Sequence, residues 1–364
     1  MSEAKDSRTS RPAADELEVS VLGPSTGESI VLHLPGVGWG VVDCCRDTEE
    51  YLTLQGVTEL AFAALTHPHK DHYAGLDRVI GARPVRRVWM YSGRSTRELR
   101  TLQQLQIEHG RGDFHGFAAV LRAMQEAHTG GAEARTMSAC KPLLVGCFEL
   151  PGRAPIGVRI TALSPSAADE ERYLAILAGA MPQEGEVMPA LPDRAHNLIA
   201  SAMMIAVGDW CVCLGSDVEA DSWAGIVADT TRPLLRAQLV KVSHHGSANA
   251  HSEDAWNEHA GGVGARVDHA VVTPFATQRL PRHSDLERLR GRADSLHLSA
   301  ARSTIEPRRV YRPSITKHAR TLRNWRVVDE RFGQVRYRAS VSRAEPLRVE
   351  VFGRAADVST GVSG

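Results

Sequence analysis

A run of metal-type side chains follows directly behind an apolar segment. Residues 60–66, LAFAALT, are almost entirely apolar and predict a buried strand. The segment from Tyr73 to Ala82 has the apolar spacing of a helix. Between them lie three histidines and an aspartate: His67, His69, Asp71 and His72. Imidazole and carboxylate suit Zn²⁺, and carboxylate with water also suits Mn²⁺, so this turn is a candidate metal site.

The composition leaves the class of partner open. The chain has 364 residues, 43% of them hydrophobic, which is enough for one large domain or two smaller ones. Basic and acidic residues are equal at 43 each, so net charge neither favours nor excludes nucleic acid. The cysteines form no CxxC pair, and Cys44, Cys45, Cys211 and Cys213 have the positions of small buried residues on strands. A secreted disulfide protein is the less favoured alternative.

No targeting or membrane segment is visible in the sequence. The first residues are polar and have no apolar signal-peptide region. The apolar stretch 198–207 is far shorter than the roughly 20 residues of a membrane span. We therefore expect a cytoplasmic protein without a membrane partner.

Strand and helix patterns alternate along most of the chain and predict an α/β fold. Three β-rich runs, separated by glycine and proline, predict an antiparallel meander that ends at GWGVVDCC. Residues 166–180 predict a helix, and residues 196–217 predict a hairpin with VGDW at its turn. Two mixed α/β halves with polar residues at strand ends predict two sheets between helices.

Three segments are expected along the chain, the second of which contains an insertion. Residues 1–16 read as a disordered tail, and residues 17–304 as the main domain. A mostly helical insertion is predicted at about 94–135. Residues 305–364 predict a β-rich extension packed on the same domain.

Further metal-type residues end other predicted strands. Asp43 closes GWGVVD, Asp217 follows CVCLGS, and His244 and His245 lie in SHHGS. Taken singly, each has an ordinary structural reading: Asp43 as a turn residue, Asp217 as a helix N-cap, and the histidines as one core and one surface residue. Their placement at strand ends, together with the first cluster, favours a shared site.

The motif His67-x-His69-x-Asp71-His72 is similar to the signature of the metallo-β-lactamase superfamily. Asp43 resembles the family's aspartate that orients the ligand loop, and Asp217 resembles the carboxylate that bridges two metals. SHHGS resembles the late histidine motif. Asn197…Ser201, LGSD and VKVSHHGS together are similar to the soluble hydrolase domain of ComEC/Rec2-type competence proteins, over residues 17–300.

The resemblance implies an αββα sandwich, with two mixed sheets flanked by helices, and a centre of two divalent metal ions, Zn²⁺ or Mn²⁺. The metal ligands it implies are His67, His69, Asp71, His72, Asp217 and one histidine of the late pair, with His244 favoured over His245. It implies Asp43 as structural support and Asp71, Asp217 and His245 as catalytic residues. Candidate substrate contacts are Lys70, Asn197 and Ser247.

The chain departs from the family pattern at two places. Cys44 stands where many members have a glycine after the first aspartate. The third histidine of the first metal site has no clear counterpart; His196 lies in the right stretch, either as a ligand or as a loop residue.

The resemblance to the ComEC/Rec2-type hydrolase domain implies the first functional hypothesis, a metal-dependent phosphodiesterase or nuclease that acts on nucleic acid through a metal-activated water. Arginine-rich runs at 84–103 and 280–292 predict either a phosphate-binding rim or a solvated surface. Two alternatives remain open. One is thioester, lactone or β-lactam hydrolysis on the same centre. The other is a non-catalytic component of a multiprotein bacterial system, such as a defence system, with protein partners.

Overall fold

Two sheets of eight strands each lie face to face in the computed structural model. The structure describes residues 7–23, 27–45, 48–91, 114–149, 154–180, 194–300, 333–343 and 345–360. Helices pack on the outer faces of both sheets. The predicted α/β class with two mixed sheets flanked by helices is confirmed.

The first sheet has the order β15-β14-β1-β2-β3-β4-β5-β6. Its strands are β1 (Glu16–Leu22), β2 (Ser29–Leu34), β3 (Gly38–Val42), β4 (Phe62–Leu65), β5 (Arg87–Tyr91), β6 (Glu133–Met137), β14 (Gly333–Ser340) and β15 (Arg348–Gly353). The strands β1, β2 and β3 form the predicted antiparallel meander. From β3 to β6 the pairing is parallel.

The second sheet has the order β16-β13-β12-β11-β10-β9-β8-β7. Its strands are β7 (Pro142–Phe148), β8 (Ile156–Ala162), β9 (Met203–Val207), β10 (Trp210–Leu214), β11 (Leu239–Lys241), β12 (Val267–Val272), β13 (Ala293–Leu298) and β16 (Ala356–Asp357). The strands β9 and β10 form a hairpin, and β10 to β13 run parallel. Each half therefore contains a parallel segment beside antiparallel strands.

The helices mostly follow parallel strands. The α-helices are α1 (Thr48–Leu54), α2 (Lys70–Tyr73), α3 (Leu76–Gly81), α4 (Phe114–Thr129), α5 (Ala167–Gly179), α6 (Ala220–Ala228), α7 (Glu253–Ala260) and α8 (His283–Arg290). Short 3-10 turns lie at Ser7–Thr9, Ala195–Ile199, Ser243–Gly246, Ala248–Ala250 and Ala276–Gln278. Among the described residues, no helix combines the length and the apolar character that crossing a membrane requires.

The alternation of side chains along the strands produces three apolar layers. On β9, Met203, Ile205 and Val207 pack between the two sheets, whereas Met204 packs on the opposite face. On β4, Phe62 and Ala64 face the layer between the sheets, while Ala63 and Leu65 face the outer helices. Strands buried on both faces explain why the sequence reads as continuous apolar runs there.

Three details differ from the sequence expectations. Part of the predicted tail is ordered, because Ser7–Thr9 forms a turn and the Arg8 carbonyl accepts a hydrogen bond from Gln55 at 2.8 Å. The described end of the predicted insertion belongs to the sandwich: α4 packs on α3, and β6 pairs with β5. Residues 92–113 lie outside the described part. The predicted strand at 196–208 begins only at β9, after a 3-10 turn.

The C-terminal segment contributes strands to both sheets. β14 pairs with β1, β15 pairs with β14, and β16 pairs with β13 of the other sheet. Every residue of β14 is buried, although the strand contains two arginines. Arg336 bonds Glu350 at 2.9 Å, and Arg338 bonds Glu18 at 2.7 Å, so the buried charges are paired.

Candidate metal centre

The polar residues that were predicted to form a site follow the carboxyl ends of parallel strands in both sheets. In the first sheet, β3 leads to Asp43 and β4 leads to the histidine cluster. In the second sheet, β10 leads to Asp217 and β11 leads to the histidine pair. Because the two sheets face each other, these ends meet at one edge of the sandwich.

Asp217 lies between the two clusters. Its Oδ2 is 3.6 Å from His67 Nε2, and its Oδ1 is 3.5 Å from His72 Nε2. His67 Nε2 is also 2.9 Å from His69 Nδ1. The atoms of His67, His72 and Asp217 are close enough together to hold one cation.

A second group of donors lies on the other side of His72. Asp71 Oδ2 is 3.6 Å from His72 Nε2 and 3.0 Å from His245 Nε2. His245 Nε2 is 3.9 Å from Asp217 Oδ1. Asp71, His72 and His245 form another group that could hold a cation, so the two groups share His72 and adjoin Asp217.

His244 points away from this second group. Its Nε2 is 3.9 Å from Asp217 Oδ2, and its Nδ1 is 3.5 Å from Glu219 Oε1. The same Glu219 oxygen accepts hydrogen bonds from Asn197 Nδ2 at 3.0 Å and from Asn249 Nδ2 at 2.7 Å. The structure therefore brings His245, rather than the predicted ligand His244, among the atoms of Asp71 and His72.

Four non-glycine residues of this edge have left-handed backbone conformations. The φ values are 55° at Asp43, 46° at Ser216, 45° at His244 and 54° at His245. Such values are uncommon for residues with a Cβ and persist where surrounding contacts hold them. One such contact is the hydrogen bond from the His244 amide to the Ser216 carbonyl, at 2.8 Å.

Asp43 holds the first ligand loop by three hydrogen bonds. Its carboxylate accepts from His72 Nδ1 at 2.7 Å, from the Thr66 amide at 2.8 Å and from Thr66 Oγ1 at 2.7 Å. Thr66 Oγ1 in turn accepts from Ser216 Oγ at 2.8 Å, which links the loops of the two sheets. With Nδ1 engaged, His72 presents Nε2 to the cluster, the arrangement common for metal-binding histidines.

The buried carboxylates favour positive charge at the centre. Burial alone would lower the pKa of His72, but Asp217, Asp43 and Asp71 outweigh it and raise that pKa well above its ordinary value. Burial lowers the pKa of His67 to about 4 and that of His69 to about 3, so both rings are neutral at pH 7 and able to donate a lone pair.

The donor set fits a divalent cation. His72 Nε2 and Asp217 Oδ1 are buried and have no hydrogen-bond partner among the described residues. Buried polar atoms without partners are costly, and a coordinated ion would satisfy both. The fold and the site thus define a two-sheet α/β sandwich with histidine and aspartate groups that could hold metal.

His196 lies beside the first group. Its ring centroid is 5.4 Å from that of His69, and its Nδ1 is 3.1 Å from the Tyr173 hydroxyl. The 3-10 turn Ala195–Ile199 places it there, together with Asn197. Its role as a ligand stays a prediction.

The three predicted substrate contacts line one cleft above the cluster, with a volume of about 660 Å³. Lys70 is exposed at its rim, Asn197 is engaged with Glu219, and Ser247 Oγ bonds Asn249 Oδ1. Arg194 and Arg282 also line the cleft.

The two arginine-rich runs, for which a phosphate-binding rim and a solvated surface were the two interpretations, lie in different surroundings. From the second run, Arg282 reaches the cleft. From the first run, Arg86 pairs with Glu59 at 3.1 Å and Arg87 with Glu133 at 3.4 Å, both partly exposed. Residues 92–103 lie outside the described part.

Several residues of the site were not predicted from sequence. They are Glu28, Thr66, Ser216, Glu219, Lys241, Asn249, Thr273 and Phe275. Phe275 stacks on His245 with ring centroids 4.9 Å apart. Lys241 carried the clearest signal, since a charge within the apolar run AQLVKVS is unusual for a buried strand.

No known family model matches the sequence, and no curated protein matches it. Among solved structures, the metallo-β-lactamase fold protein YhfI from Bacillus subtilis is 16% identical, with 76% of this chain and 92% of that chain covered and a TM-score of 0.37. A diphosphatase from the PhnP family is 14% identical over 75% and 91%, with a TM-score of 0.36. Zn²⁺-bound PqqB from Methylobacterium extorquens is 13% identical over 68% and 60%, with a TM-score of 0.30. These likenesses concern the fold and assign no role to any residue of this chain.

Proposed function

We propose that this protein is a metal-dependent hydrolase that cleaves phosphodiesters, with nucleic acid as the substrate class. The observation that carries the proposal is the convergence of His67, His72 and Asp217 with Asp71 and His245 at the base of a cleft. Asp217 lies between the two donor groups, with Oδ2 towards His67 and Oδ1 towards His72 and His245, so its carboxylate is the group suited to bridge two cations of a dinuclear hydrolytic centre.

One cation would be held by His67, His69 and Asp217, and a second by Asp71, His72 and His245 with Asp217. We assign His245 rather than His244 to the second group because its Nε2 is 3.0 Å from Asp71 Oδ2. The other ring nitrogen of His245 bonds the Thr273 carbonyl at 2.9 Å, which fixes Nε2 as the atom that faces the cluster.

The chemistry that such cations supply is activation of a water molecule and stabilisation of negative charge on the phosphoryl oxygen. Asp71 and Asp217 would orient the attacking water by accepting its hydrogen bonds. His244 lines the cleft, and its Nδ1 faces the Glu219 carboxylate. Because the His244 ring lines the cleft, with Nε2 3.9 Å from Asp217 Oδ2, we assign it to contact with the substrate or its leaving oxygen.

The basic residues that line the cleft favour a phosphodiester substrate over an uncharged carbonyl substrate. Lys70, Arg194 and Arg282 all line it, and guanidinium and ammonium groups bind phosphate oxygens. The side-chain amides of Asn249 and Gln278 add groups that can bond sugar or base atoms.

The test uses metal-free protein reloaded with Zn²⁺ or Mn²⁺ and supplied with bis(p-nitrophenyl) phosphate, single-stranded DNA and RNA. We expect metal-dependent cleavage that falls by about 100-fold or more in His67→Ala and Asp217→Ala. His283→Ala changes an exposed histidine outside the cleft and should retain wild-type activity.

Wild-type protein that binds metal but leaves every phosphodiester intact would contradict the proposal. A parallel panel of thioester, lactone and β-lactam substrates identifies the alternative hydrolase. Cleavage of those substrates alone would reassign the centre to carbonyl chemistry.

A further inference from the structure

A buried ion pair joins the two sheets beneath the candidate metal centre. Glu28 lies just before β2 in the first sheet, and Lys241 ends β11 in the second. Both side chains are almost completely buried, with exposed fractions of 1% and 0%. Glu28 Oε2 contacts Lys241 Nζ directly.

Glu28 also contacts ligand segments from both halves. Its amide donates to the Asp71 carbonyl at 2.8 Å. Its Oε2 accepts a hydrogen bond from Thr273 Oγ1 at 2.8 Å, and the Thr273 carbonyl accepts from His245 Nδ1 at 2.9 Å. A chain of bonded groups therefore runs from Glu28 to one ligand in each sheet.

Lys241 reaches the remaining segment through its backbone. Its carbonyl accepts a hydrogen bond from the Gly215 amide at 3.0 Å, two residues before Asp217. Along its own strand, Lys241 leads directly into the turn that contains His245. Glu28 and Lys241 are therefore hydrogen-bonded to the segments that carry Asp71, Asp217 and His245. Neither residue lines the cleft.

We propose that Glu28 and Lys241 are positioning residues of the metal centre: their ion pair fixes the separation of the two sheets at which Asp71, Asp217 and His245 meet at one cation. This inference rests on the metal centre of the proposed function. A buried ion pair is often no more stabilising than apolar residues of similar size, so a purely structural pair should be replaceable. If the pair positions ligands, replacing it by apolar residues should weaken metal binding even where stability is kept.

The first experiment measures Zn²⁺ binding to metal-free protein by calorimetry with a competing chelator, alongside the thermal stability of the metal-free state. We expect Glu28→Gln to weaken the second Zn²⁺ by about 10–100-fold, the range for residues that orient ligands. Glu18→Gln is the matched control, because Glu18 is equally buried and its Oε2 is 2.6 Å from Arg338 Nη2. This pair joins β1 to β14 within the first sheet and does not join the two sheets. The control should lower stability and leave both Zn²⁺ affinities unchanged.

The second experiment separates positioning from folding. The double variant Glu28→Leu/Lys241→Met removes both charges and is expected to fold with the stability of the wild type or better. We expect it still to lose the second Zn²⁺. Wild-type Zn²⁺ affinities in either the double variant or Glu28→Gln would overturn the inference, as would an equal loss in Glu18→Gln. Failure of the proposed function is distinguishable, since wild-type protein itself would then bind no Zn²⁺ or would bind it and cleave nothing.

Discussion

At the scale of single residues, the centre depends on groups that never face the cleft. Asp43 is buried and accepts hydrogen bonds from His72 Nδ1 and from both donors of Thr66. Burial raises the pKa of this carboxyl, against the lowering effect of His72. A carboxylate kept in such a place by its donors fixes the direction of His72 Nε2, and with it the position that a cation would take in the proposed centre.

Replacing Asp43 by asparagine tests this support. Asparagine tolerates the left-handed backbone, where φ is 55°, so the fold should survive. Its amide group cannot accept all three hydrogen bonds, and we expect about 1–3 kcal/mol of lost stability. Metal affinity should fall by about 10–100-fold. Denaturant unfolding measures the loss of stability, and Zn²⁺ titration measures the loss of affinity. An unchanged Zn²⁺ affinity would mean that Asp43 does not position His72 for metal binding.

At the scale of elements, the ligand turns of the second sheet need close approach between β10 and β11. A Cβ on Gly215 would lie 2.9 Å from the Lys241 carbonyl and would also collide with Ser243 Oγ. Ser243 Oγ accepts a hydrogen bond from Trp223 Nε1 at 2.9 Å, so it has little freedom to move. The glycine therefore lets Asp217 lie beside the histidine turn.

We expect Gly215→Ala to destabilise the protein by about 1–3 kcal/mol and to weaken metal binding, because the turns must separate. Gly225→Ala is the matched control: its Cβ would meet nothing within 4 Å, and it lies within α6. There alanine should stabilise by up to about 1 kcal/mol. Urea unfolding of both variants provides the comparison. Equal stabilities would mean that β10 and β11 can adjust without cost.

Sequence patterns predicted the elements that have strong periodicity. They missed elements whose conformation depends on contacts with segments distant in the chain. The helix predicted at 166–180 is α5, which Ser166 caps by accepting the Asp169 amide at 3.1 Å. The apolar run after Arg194 read as one strand, but its first residues form a 3-10 turn. Periodicity cannot separate a short buried turn from a strand, and here the Ser201 amide binds the Thr66 carbonyl of the ligand loop instead of a ladder partner.

At the scale of the whole molecule, the sequence motifs indicated which histidines and aspartates form one site. They did not indicate which residues join the two sheets. The cluster His67 to His72 and Asp217 meet as expected from their strand ends. The pairing of Glu28 with Lys241 joins positions far apart in the chain, and neither residue belongs to a local pattern that names its partner. Such contacts arise from the packing of one sheet on the other, which local periodicity does not encode.

The stability of the whole molecule should also depend on a histidine remote from the centre. His259 lies on α7, with its ring edge-on to Trp223 at 5.4 Å and to Trp256 at 6.2 Å. Its Nδ1 donates to the Leu235 carbonyl at 2.8 Å. Burial lowers its pKa from 6.5 to about 4. The folded protein therefore holds this ring neutral over a range in which the unfolded chain protonates it.

The sign of the pH effect follows from that difference. Above pH 6.5 neither state protonates His259, and its full contribution to stability is present. As the pH falls from 6.5 towards 4, only the unfolded state gains the proton, so the free energy of unfolding decreases. At about 1.4 kcal/mol per pH unit, the loss reaches about 3 kcal/mol.

Urea unfolding of metal-free wild type and His259→Gln from pH 7.5 to pH 4 measures this contribution. The glutamine keeps a donor for the Leu235 carbonyl but has no group that titrates in this range. From pH 6.5 to pH 4 we expect the unfolding free energy of wild type to fall by that amount more than that of His259→Gln. Parallel curves for wild type and His259→Gln would show that the ring between the two tryptophans is protonated as readily in the folded state as in the unfolded chain.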